Sequence, residues 1–90
     1  MKKVSKEFIQ DYCEVMIKVH TLPEHKIIAG STFLKANFAK VKRDAQILNF
    51  FIDMLNIYSA HSPNYEKHKA DVEFLIDLAK QYISKCDLFI

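Results

Sequence analysis

The chain has 90 residues and a formal net charge of +2, with 50% of its residues hydrophobic and 27% charged. That balance excludes a disordered polyelectrolyte, and one glycine with two prolines leaves too few turn residues for a β-sandwich or barrel. A chain of this length makes one domain, residues 1–90, around a single modest core.

No apolar run approaches the roughly 18 residues of a membrane span. The start, MKKVSKEFIQDY, turns polar before a signal-peptide core can form. Cys13 and Cys86 stand near opposite ends with no CxxC or zinc-finger spacing. The expectation is a cytoplasmic protein with no membrane association whose thiols are buried and free; a bridge between the chain ends is the alternative.

Residues 5 to 20 form the first predicted helix. Ser5 is its N-cap, and Phe8, Ile9, Tyr12, Val15, Met16 and Val19 cover one broad face at 100° per residue. Gln10, Asp11, Glu14 and Lys18 take the other. The stretch HTLPEHKIIAGST follows, at 20 to 32. Thr21 and Glu24 have capping-box spacing, with Pro23 in the first turn of a short helix over 22–29. Gly30 is expected to end it, and Ser31 or Thr32 to cap the next.

From Thr32 to about Ala60 the pattern predicts one long helix. Leu34, Phe38, Val41, Ala45 and Leu48 make a narrow stripe in its first half. In its second half Ile47 to Tyr58 are apolar around most of the circumference, broken by Gln46, Asn49, Asp53 and Asn56. The last helix opens at Ser62-Pro63 and turns Val72, Leu75, Ile76, Ala79, Tyr82, Ile83 and Cys86 inward. The tail Leu88-Phe89-Ile90 is apolar. The fold class is therefore all-α: a compact bundle of three main helices with a short extra helix near residues 22–29.

On the helical wheel, with Phe33 set at zero, Phe50, Met54 and Ile57 fall at about 240° to 300°, whereas the bundle stripe centres at about 60° to 100°. With Ile47 and Phe89 they are the candidate interface, because soluble monomers rarely leave such a patch open. A protein partner and a homo-oligomer are both expected from it.

A second candidate is electrostatic. No acidic residue lies between His25 and Arg43, while Lys26, Lys35, Lys40, Lys42 and Arg43 all do. With Ser31 and Thr32 at a helix N-terminus, Lys26, Lys35 and Arg43 would suit a nucleotide or other phosphate ligand. The run KIIAGSTFLKANF resembles the helical-hairpin segment of phage proteins that sequester cyclic nucleotides, over 13 of the 90 residues. That resemblance implies Lys26 and Tyr12 as ligand contacts. As a nucleic-acid footprint the basic stretch is too dilute, and no helix-turn-helix spacing stands out.

The four histidines have neither the i, i+4 spacing nor an HExxH pattern, so no metal is expected. Glu73 and Asp77 sit together on an outer face beside lysines, and Cys13 borders an apolar face that raises a thiol pKa. The sequence thus points to a non-enzymatic binding protein without a cofactor, of the inhibitor, immunity or adaptor type. The runner-up is a small-anion or nucleotide-sequestering protein using residues 25–43.

Overall fold

The computed structural model describes residues 2–87. Four helices follow one another: α1 (Lys6–Lys18), α2 (Glu24–Lys35), α3 (Ala45–His61) and α4 (Tyr65–Asp87). α1 packs on α2 and α3, and α3 packs along α4, while α2 meets α3 through Phe33 and Phe51, whose ring centroids are 5.7 Å apart. Leu88, Phe89 and Ile90 lie outside the described residues, and with them the interface expectation for Phe89.

α1 starts where its sequence says. Ser5 Oγ accepts from the Phe8 amide at 3.1 Å, and the Ser5 amide itself donates to Asp71 Oδ2 on α4 at 3.1 Å. One cap thereby also fastens the N-terminal residues to the last helix. The face read from the periodicity is the buried one: Phe8, Ile9, Tyr12, Val15 and Met16 all enter the core.

The two corners differ from expectation. Thr21 does not cap α2. His20 takes a left-handed φ of 53°, its amide donates to Ile17 O, and the Thr21 hydroxyl donates to Met16 O at 3.3 Å. Thr21 thus closes the end of α1, and Pro23 is the N-cap residue of α2, with no side-chain bond. The capping-box spacing is present, but its hydroxyl is turned to the helix behind it.

α2 then runs straight through Gly30, whose φ is not positive, to Lys35. The break expected at Gly30 lies instead at residues 36–44. There Asn37 (φ 52°) and Phe38 (φ 61°) are left-handed. The Phe38 amide donates to Phe33 O at 2.8 Å and the Asn37 amide to Leu34 O at 3.1 Å, the paired bonds of a Schellman motif. Successive turns lead to Asp44, whose carboxylate accepts from the Ile47 amide at 3.1 Å and starts α3. The long helix predicted from Thr32 to Ala60 is therefore two elements. Its stripe survives the interruption, because Leu34, Phe38 and Leu48 are all fully buried although a loop separates them.

α4 begins at Tyr65, two residues later than Pro63 suggested, after a turn in which Ser62 Oγ accepts from the Asn64 amide. Val72, Leu75 and Ala79 bury its inner face. No described helix is long and apolar enough to cross a membrane. Both cysteines are free and half-buried, rather than fully buried as expected, with Cys86 Sγ 3.8 Å from Lys42 O.

Candidate functional site

Among the described residues apolar character and exposure coincide at Ile28 on α2, which is 50% exposed and stands alone, and along the flank of α3, where two such residues fall on one stripe. Leu48, Phe51, Leu55 and Tyr58 point into the core at helical spacing. Rotated from them, Ile47 and Phe50 remain 37% and 39% exposed, and Met54 and Ile57 are half-buried at the edge of the core. The structure thus places four of the five interface candidates on one stripe, at spacings of three and four residues. Half of that stripe is already satisfied within the monomer, which the helical wheel alone overstated.

Aromatic rings floor the flank. Phe51 lies 5.7 Å from Phe33, 5.6 Å from Phe38 and 5.5 Å from Phe50, measured between ring centroids. Phe51 is buried, Phe33 half-buried and Phe50 the outermost of the set. Gly30 adjoins the same ring: a Cβ built there would sit 3.5 Å from Phe51 Cε1. The small residue at position 30 thus marks where α2 approaches α3, which its role as a supposed helix breaker had concealed.

The anion candidates are not assembled as their spacing suggested. Ser31 is 3% exposed and Thr32 exposed, both inside α2, where their hydroxyls donate back to Ile28 O (2.6 Å) and Ala29 O (2.7 Å). Amides in a helix interior are bonded along the helix, so the N-terminal amide cradle expected at Gly30–Thr32 does not exist. Tyr12 is 3% exposed and belongs to the core, where burial and then the neighbouring Cys13 push its phenol pKa up. Lys26, Lys35 and Arg43 are exposed, on α2 and on the connection after it, whereas Tyr12 is buried within α1.

Sequence reasoning missed the most connected polar group. Asp11 accepts from Tyr58 Oη (2.6 Å) and Ser62 Oγ (2.7 Å) through one oxygen, and from Asn64 Nδ2 (3.1 Å) through the other. Burial raises its pKa, but the bonds from Tyr58, Ser62 and Asn64 together outweigh that and hold the carboxyl below its ordinary value, helped by nearby His68. The Tyr58 phenol is pushed up, first by burial and then by its bond to Asp11, so it stays a donor. Asp11 had been placed on the polar face of α1. The signal was available in its three future donors around the Ser62-Pro63 corner, but nothing in one sequence says that the corner folds back onto α1.

Around this knot an open groove is lined by Ser5, Glu7, Glu14, Lys67 and His68. His68 is half-buried, with its ring 5.9 Å from Phe8. Among the described residues no three His, Cys, Asp or Glu side chains are grouped as a metal would require. Asp11 clamps α1 to the α3–α4 corner, and three of its about four acceptor positions are filled by donors from the chain itself.

The chain matches no protein-family model, and neither a curated protein nor a solved structure is similar to it.

Proposed function

We propose that this is a non-enzymatic protein-binding module of the inhibitor, immunity or adaptor type, with the flank of α3 as its contact surface. The observation that carries this reading is the exposure of Ile47 and Phe50 beside half-buried Met54 and Ile57. A large aromatic left 39% exposed forfeits hydrophobic stabilisation that a partner can recover. The same flank would serve self-association, two copies of α3 packing side by side.

Native mass spectrometry or light scattering tests the self-association. The wild type should assemble in a concentration-dependent way, and Phe50→Glu should leave a monomer of unchanged helicity, since the side chain is not part of the buried core. A wild type that stays monomeric at high concentration removes the homo-oligomer. A Phe50→Glu variant that assembles as well as the wild type removes the flank as its contact.

A further inference from the structure

The segments that lead to the α3 flank carry more cations than carboxylates. Gly30 and Phe33 both approach Phe51, which fixes the side of α2 that looks toward α3. Lys26 lies one helical turn before Gly30 on that side and is exposed. Lys40 and Arg43, also exposed, stand on the connection that leads into α3, with Arg43 four residues before Ile47. No carboxylate occurs from His25 through Arg43. Asp44, which caps α3 and keeps its charge, and Asp53, the one acidic residue within α3 itself, are the carboxylates that stand against these three cations.

We propose that the surface takes an acidic amphipathic segment of another protein. Its apolar side chains would lie against Ile47, Phe50 and Met54, and its carboxylates would face Lys26, Lys40 and Arg43. This rests on the reading of the α3 flank as a docking face and adds the chemistry of the partner. Helix-in-groove recognition works in this way, with apolar anchors at helical spacing supplying affinity and a charged border supplying selection.

Two other occupants fit less well. A second copy would bring only Asp53 of its own α3 to meet the cations. A nucleic acid would find Phe50 as the outermost ring, with Phe33 half-buried and Phe51 buried, and bases bind such surfaces mainly by stacking on open aromatic faces.

Fluorescence anisotropy decides among them. The probes are a labelled peptide with leucines at helical spacing and glutamates elsewhere, its counterpart with lysines replacing the glutamates, and a labelled single-stranded oligothymidylate. The wild type should bind the glutamate peptide, more weakly as salt rises. The double variant Lys26→Glu/Arg43→Glu should lose about tenfold or more of that affinity and gain the lysine peptide. Phe50→Ser should weaken either peptide, and circular dichroism checks that each variant stays folded.

Equal binding of both peptides by the wild type, still lost in Phe50→Ser, overturns the acidic partner and leaves the docking face standing. Binding of neither peptide overturns both. Tighter binding of oligothymidylate, sensitive to the double variant but not to Phe50→Ser, replaces the proposal with a nucleic-acid surface.

Discussion

The two ends of α3 are built to opposite rules. At its C-terminal end Tyr58 is fully buried among Phe8 and Tyr12, and its hydroxyl is bonded to Asp11 in a knot that also holds Ser62 and Asn64. At its N-terminal end Ile47 and Phe50 face outward, beside a connection rich in cations. One end satisfies apolar surface and polar groups together; the other leaves apolar surface uncovered. In a helix whose two ends share composition, this difference separates the part that holds the fold from the part available to a partner.

Truncation should break the comparison most visibly. Leu55 is fully buried, so Leu55→Ala should cost about 3 kcal/mol through lost transfer energy and a cavity. Phe50→Ala removes a larger side chain at the exposed end but one only partly covered, and should cost about 1 kcal/mol. Urea denaturation of the two variants measures the contrast. Comparable losses would mean that Phe50 is a core residue and the flank is closed.

The polar knot gives the next effect. Asp11→Ala strips the acceptor from Tyr58, Ser62 and Asn64. Because Tyr58 is left buried without a partner, about 2 kcal/mol should be lost, with the more exposed bonds adding little. The pH dependence follows from the direction of the shift. A carboxylate whose folded pKa lies below its unfolded value stabilises fully above the unfolded pKa, and that contribution disappears as pH falls through the folded one. The wild type should therefore lose stability below about pH 4, and Asp11→Asn should flatten that part of the curve. An acid profile identical in Asp11→Asn would show that the knot is not formed in solution.

How far the molecule was legible follows from these same residues. The inward faces of α1 and α4 were readable because their periodicity is uninterrupted and Ser5 is an unambiguous cap. The 36–44 connection was not, since the stripe through Leu34, Phe38 and Leu48 stays in phase across it. Its true punctuation was Asn37, a residue that tolerates the left-handed region, and Asp44, a strong N-cap. Neither interrupts the apolar stripe, and the lone glycine is the more conspicuous breaker. Asn37 is itself under load: Nδ2 donates to Lys2 O at 2.7 Å, while buried Oδ1 has no partner. The α3 flank was legible as a stripe from Ile47 to Ile57, but its degree of exposure depended on where α2 would turn. The Asp11 knot joins residues 47 to 53 positions apart, and no local pattern carries that information.

The smallest effect concerns Gly30, where sign matters more than size. Glycine inside a helix costs about 0.5–1 kcal/mol relative to alanine, because more backbone freedom is lost on folding. At a left-handed helix end the order reverses, since a Cβ is then strained. Gly30 lies inside α2 without a positive φ, and a Cβ there would meet Phe51 Cε1 at 3.5 Å and Cζ at 3.8 Å, ordinary van der Waals contact. Gly30→Ala should therefore stabilise the protein by about 0.5–1 kcal/mol, raising the urea midpoint without changing the slope. The methyl group would also fill part of the space where α2 approaches α3, so binding of the glutamate peptide gives a second readout. Unchanged affinity would place the docked segment on the α3 side of the seam, whereas a loss at increased stability would place it directly over Gly30. A destabilised variant would mean that α2 ends near residue 30 in solution, returning the helix break to the position its glycine first suggested.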